Sequence, residues 1–218
     1  MTEYVSQDNL YLGVTPTGSY YAVQDRDNEP ARNFIQQLLQ VPETPLFNDD
    51  LSSQYSRLTG EDSLKFVHWM QTAGLIYGSE IQEEAPQGRL ENILPSLLEP
   101  LADSNKITLA ESQGFYLGAI GFSHEAAEEL AAMSTELVNT YWRHKALLNG
   151  NLRLKQRGWG LIDSLGNSEI GFWPIFIGNE VFTLIAEGMP QFNQKAFHQL
   201  IWALSIRYDN TIFENRLL

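Results

Sequence analysis

Residues 123–150 read SHEAAEELAAMSTELVNTYWRHKALLNG, and they organise everything around them. Ser123 is a helix-capping residue, and the acids that follow it suit the positive end of a helix dipole. Ala127, Leu130, Ala131, Ser134, Leu137, Val138, Tyr141 and Trp142 recur at helical spacing along one side. His144 and Lys145 stand where the dipole turns negative, and Asn149-Gly150 supplies a stop. The pattern predicts one helix of about 25 residues, long for a domain of this size.

On its C-terminal side the sequence predicts three strands, Leu152 to about Ile162, Glu169 to Ile177, and Val181 to Ala186, the last two joined at Gly178-Asn179. A closing helix is expected over Asn193 to Arg207. On the N-terminal side, Lys106 to Ala110 and Phe115 to Phe122 flank the turn Glu111-Ser-Gln-Gly114 and form a hairpin. Leu90, Ile93, Leu94, Leu97, Leu98 and Leu101 form a helical stripe interrupted by Pro95.

The order helix, two strands, long helix, three strands, helix resembles the roadblock/dynein-light-chain family, including its bacterial MglB-type members. The residues that carry it are the Ser112-Gln-Gly114 turn, the helix start at Ser123, and the Gly178-Asn179 hairpin before Val181-Phe-Thr-Leu-Ile-Ala186. The resemblance covers Leu90 to Tyr208. It implies an antiparallel five-stranded sheet with the long helix on one face and the two other helices on the opposite face. It also implies a homodimer through the long helix and the edge strand after it, serving as a platform or regulator for a Ras-like GTPase. PAS-like, profilin-like and longin-like folds share related layouts. A sensory or small-ligand-binding module of that kind is the alternative, with Trp159, Phe172 and Trp173 as its pocket.

Further upstream, Ser79 to Arg89 is polar and acidic and carries Pro86 and Gly88, which is linker chemistry. Two domains are therefore expected, 1–87 and 88–218. In the first, Leu10 to Val23 reads as a β-hairpin turning at Pro16-Thr17-Gly18. Helices follow from Pro30, over Asn48 to Tyr55, and after a capping box at Thr59 to Asp62, where Leu64, Val67 and Met70 share a stripe. Leu75-Ile76-Tyr77 closes the unit as a short strand. This arrangement resembles a winged helix. The overall expectation is an α+β protein with helices on both faces of its main sheet.

Composition narrows the function. The 218 residues carry a net charge of −13, with 43% hydrophobic residues and no cysteine. Disulfides, thiolate nucleophiles and zinc-thiolate sites are excluded, and a cytoplasmic location is expected. The segment before Leu10 lacks the features of a secretory signal, and the apolar run Ile170 to Ala186 is broken by Pro174, Gly178, Asn179 and Glu180, so no membrane insertion is expected. The charge is uneven: Met1 to Gln87 holds four basic residues against thirteen acids. The remaining residues hold ten against fourteen. Binding to nucleic acid, including a transcription-regulator role for the helix at Glu61 to Thr72, is disfavoured.

No catalytic constellation stands out. His68, His124, His144 and His198 are scattered, without metal-ligand spacing, and no phosphate-binding loop or nucleophile elbow occurs. No enzyme activity, cofactor or metal is expected. The one basic cluster is Arg153, Lys155 and Arg157, which alternate along the first strand after the long helix and so project from one face. They are expected either to meet an acidic partner, or to be neutralised by helix acids such as Glu128 or Glu136 or to blunt an edge strand. The stripe Ala127, Leu130, Ala131, Ser134, Leu137, Val138, Tyr141 and Trp142 is the expected dimer interface, its small residues admitting a second helix. The other reading of that stripe is that it packs on its own sheet.

Overall fold

The computed structural model describes residues 9–209; the segment read above as lacking a secretory signal lies almost wholly outside them. The described chain is α+β, with seven α-helices, a two-stranded sheet and a five-stranded antiparallel sheet. It folds as two compact units. Within the described residues, one contains 9–87 together with 197–209, and the other contains 88–196.

In the first unit, strand β1 (Tyr11–Val14) leads directly into helix α1 (Pro16–Val23). The hairpin expected over Leu10 to Val23 is therefore corrected. Thr15 is the N-cap, its Oγ1 accepting from the Gly18 amide at 2.9 Å, and Pro16 takes the first helical position. Gly18 is explained by a close approach: a Cβ there would stand 2.0 Å from the Leu75 carbonyl oxygen. Helices α2 (Pro30–Leu39), α3 (Asp49–Ser56) and α4 (Glu61–Thr72) follow, and β2 (Ile76–Ser79) pairs antiparallel with β1. The capping box expected at Thr59 is also corrected. Gly60 is the N-cap of α4 at φ 56°, and the Ser63 hydroxyl donates to its carbonyl. Leu64 is half-buried, and the buried stripe of α4 is Ser63, Val67 and Met70.

The second unit begins with α5 (Leu90–Leu98), which carries Pro95 and tightens into a 3-10 turn at Glu99–Leu101. Strands β3 (Ile107–Glu111) and β4 (Tyr116–Ile120) precede the long helix α6 (His124–Lys145). A π-helical turn, Ala146–Asn151, ends α6, and β5 (Trp159–Ile162), β6 (Ser168–Ile177) and β7 (Glu180–Glu187) complete the sheet. The strand order is β4-β3-β7-β6-β5, so β4 and β5 are the edges.

A β-bulge between Leu109 and Ala110 sets which side chains of β4 face which layer. Tyr116 pairs with Ala110 and looks toward α6, whereas Gly118 pairs with Leu109 on the opposite face. On the α6 face, Ala110, Ala131, Phe172 and Ile185 form a buried cluster, and Leu130, Leu137 and Trp159 pack around it. On the other face, Gly118 leaves room for α5: a Cβ there would stand 3.1 Å from Leu94 and 3.4 Å from Leu98. Helices thus cover both faces of the sheet, α6 one and α5 the other, while the second helix expected beside α5 is not placed there.

Helix α7 (Lys195–Tyr208) departs from the expected division at 88–218, because from Phe197 onward it belongs with the first unit. Its polar groups show why. The Trp202 indole donates to the Val41 carbonyl at 2.8 Å, and His198 Nδ1 bonds the Ser19 hydroxyl at 2.9 Å. These partners lie about 160 to 180 residues away in sequence. A residue-by-residue scan has no means of seeing them.

Candidate functional site

The long helix and the segment after it hold most of the residues expected to form an interface. At 22 residues, α6 extends about 33 Å. Ser123 caps it by accepting from the Ala126 amide, and Glu125 beside that cap is held below the usual carboxylate range by hydrogen bonds from its own amide and the Ser123 hydroxyl.

The eight stripe residues divide between two fates. Ala127, Ala131, Ser134 and Tyr141 are buried within their own unit, Ala131 in the cluster under the sheet. Leu130, Leu137 and Val138 are half-buried, and Trp142 is exposed. The expected dimer interface is corrected to that extent. The slim strip of Ala127, Ala131 and Ser134 fits the helix onto its own β-sheet, because small side chains allow close approach there. What α6 turns outward is mainly polar, with Glu128, Glu129, Glu136 and Asn139 followed at its C-terminal end by Arg143, His144 and Lys145, together with Met133 and Trp142. Phe122, Ala126, Glu129, Leu130 and Met133 line a shallow, mostly apolar groove of about 380 Å³ along its N-terminal half.

The basic alternation is corrected more sharply. Residues 152–158 are not in a strand, and β5 starts only at Trp159. Arg153 has φ 56°, which resets the direction of the chain and ends the strand-like alternation of Arg153, Lys155 and Arg157. Arg153 and Lys155 are exposed, whereas Arg157 is buried. The Arg157 guanidinium lies 5.0 Å from the Phe176 ring centroid, 5.3 Å from that of Trp142 and 5.4 Å from that of Tyr141. Tyr141 and Trp142 meet edge to face beneath it. Arg157 thus clips the returning chain onto the end of α6 by cation–π stacking. Neither Glu128 nor Glu136 is bonded to Arg153 or Lys155 among the described residues; Glu128 pairs instead with His124.

Beyond this clip lies an edge strand with unusual exposure. Leu161 is 61% exposed and Ile162 68% exposed. β5 pairs only with β6, so its outer row of backbone N–H and C=O groups is unpaired within the sheet. The sequence placed Leu161 and Ile162 in a strand, and the resemblance implied that the strand after the long helix is an edge; the strand order puts β5 at an edge. Edge status depends on the strand order, which periodicity does not encode.

Trp159, Phe172 and Trp173 do not converge on a pocket. Trp159 and Phe172 are cross-strand partners that pack on the α6 face, whereas Trp173 projects from the opposite face and meets Phe192 edge to face at 5.4 Å. Two hydroxyl–imidazole contacts were not legible in the sequence, Tyr116 with His124 Nδ1 at 2.7 Å and Ser19 with His198 Nδ1 at 2.9 Å; the second is the buried one. There both side chains are buried, His198 stacks on Trp202, and the geometry serves to join α1 to α7. Among the described residues no three His, Asp or Glu side chains group as metal ligands, and no helix is long and apolar enough to cross a membrane. No protein-family model matches this chain, and neither a curated protein nor a solved structure matches it.

Proposed function

We propose that the protein is a non-enzymatic homodimeric adaptor or regulator with a roadblock-like second unit. Its partner in this reading is a small Ras-like GTPase or a related component of bacterial polarity or surface machinery. The observation that carries the reading is the open β5 edge with its exposed Leu161 and Ile162. A short apolar edge strand is a template for another strand, and a second copy of the same strand is its natural complement. The element order from α5 to β7, with α6 on one face and α5 on the other, supports the roadblock comparison. The acidic first unit supplies a second surface that repels nucleic acid and leaves protein contact as its role.

The dimer in this reading is centred on β5 rather than on the buried strip of α6, with Met133 and Trp142 adding apolar area from the helix. A pocket-based sensory reading has no matching observation, because its three aromatic residues point to different layers. The test joins both halves of the proposal. Affinity capture of the wild-type chain should retain a P-loop GTPase, and Leu161→Lys, which places a charge on the edge, should abolish dimerisation and reduce that capture. A wild-type chain that captures no GTPase, or a Leu161→Lys chain that stays dimeric, contradicts the reading.

A further inference from the structure

From Leu137 to Ile162 the chain contains no Asp or Glu, yet it holds Arg143, Lys145, Arg153, Lys155 and Arg157, five of the 14 Lys and Arg in a chain of net charge −13. The structure gathers these residues into one tip. After the π-helical turn the chain folds back, with the Leu152 amide donating to the Leu147 carbonyl at 2.9 Å and the Leu154 amide to the Leu148 carbonyl at 2.8 Å. Buried Arg157 then stacks on Tyr141 and Trp142 and closes the return. The other four cations stay exposed, and among the described residues none of them meets a carboxylate. Lys145 lies 5.0 Å from the Trp142 ring centroid. Arg143 and Lys145 also complement the helix end, but Arg153 and Lys155 lie past it and have no such role.

Apolar side chains alternate with these cations. Leu152 is 55% exposed and Leu154 52%, and Leu147 and Trp142 are exposed as well. All four stand exposed to solvent, and none of them lines the groove on α6.

We propose that this tip is a docking site for an anionic lipid surface, with Arg143, Lys145, Arg153 and Lys155 meeting headgroup phosphates and Leu147, Leu152 and Leu154 entering the interfacial layer. Cations interleaved with leucines and a tryptophan match a boundary that is anionic outside and apolar just beneath. The net charge of −13 does not forbid this. At about 0.1 M salt, charges more than about 10 Å away are screened, so the four exposed cations act on a facing surface largely unopposed by the distant acids. Binding is peripheral and involves no spanning helix.

The test is flotation of the full chain with vesicles of phosphatidylcholine alone and of phosphatidylcholine containing phosphatidylglycerol. The expected result is binding to the anionic vesicles only, weakening as salt rises. Each cation at an anionic surface contributes roughly fivefold in affinity, so the combined variant Arg143→Gln, Lys145→Gln, Arg153→Gly, Lys155→Gln should bind at least about 100-fold more weakly. Arg153→Gly also suits the positive φ and should leave the fold intact, as circular dichroism and thermal melting will show. Leu152→Ser with Leu154→Ser should weaken binding about tenfold at unchanged charge. The proposal is overturned by no binding to anionic vesicles at low salt, by equal binding to both vesicle types, or by a folded charge variant that binds like wild type. It is equally overturned if the tip cations are needed only to capture an acidic protein while vesicles are ignored. Leu161→Lys separates this proposal from the adaptor reading, since it targets the dimer edge and leaves the tip unchanged.

Discussion

Tyr21 and Tyr77 each donate a short hydrogen bond to a carboxylate, Glu29 and Glu83 respectively. Partial burial, followed by that bond to the neighbouring anion, pushes the Tyr21 hydroxyl up to about 12. The same two causes raise Tyr77 further. In both cases the folded state favours the protonated phenol. The stabilisation is therefore complete below the unfolded value of 10.0 and is lost as pH rises through about 12 for Tyr21. Absorbance titration of the tyrosines should show an ionisation near pH 12 that disappears in Tyr21→Phe. A wild-type curve with every tyrosine titrating near 10 would refute the pairing. Arg157 offers a second prediction at this scale. Removing its three ring contacts in Arg157→Ala should cost about 2 kcal/mol in urea unfolding, the size of desolvated cation–π stacking. An unchanged midpoint would show that the clip does not hold the chain to α6.

Helix α1 is the element whose identity was hardest to read. Thr15-Pro-Thr-Gly18 contains the letters of a turn and equally those of an N-cap followed by Pro at the first helical position. The structure takes the second option, with the Thr15 hydroxyl also donating to the Gly74 carbonyl at 2.6 Å. Thr15→Ala should lower stability by about 1 kcal/mol and Thr15→Ser should restore most of it, measured by thermal melting. A neutral Thr15→Ala would favour a turn over a capped helix. Elements with a clean period were legible: the stripes of α2 and α5, the Ser123 cap of α6, and the strands on either side of Gly178 all stand where the residues place them. The start of β5 was not legible, because the positive φ of Arg153 leaves no mark in residue type. The amphipathic side of α6 was read correctly as apolar, but periodicity cannot distinguish an apolar side that faces its own sheet from one that faces a second chain.

At the scale of the molecule, the α+β class and the individual strands followed from the alternation of periods along residues 90–187, whereas their union in one five-stranded antiparallel sheet was what the family resemblance implied, and the structure has that sheet. The placement of α7 followed from neither, since its partners Ser19 and Val41 are joined to it only by the finished fold. The residues proposed for contact show the same limit. The edge strand after the long helix was already implied by the resemblance, but the exposure of Leu161 and Ile162 on it emerged only from the fold, as did the cationic tip, where the chain after Asn151 folds back on α6. Association through β5 is the claim on which the adaptor reading depends. Light scattering of the wild-type chain during size-exclusion chromatography at micromolar concentration tests it most directly. Two copies of the 24.7 kDa chain in one particle are predicted, reverting to one in Leu161→Lys. A wild-type particle of 24.7 kDa at every concentration examined would contradict it.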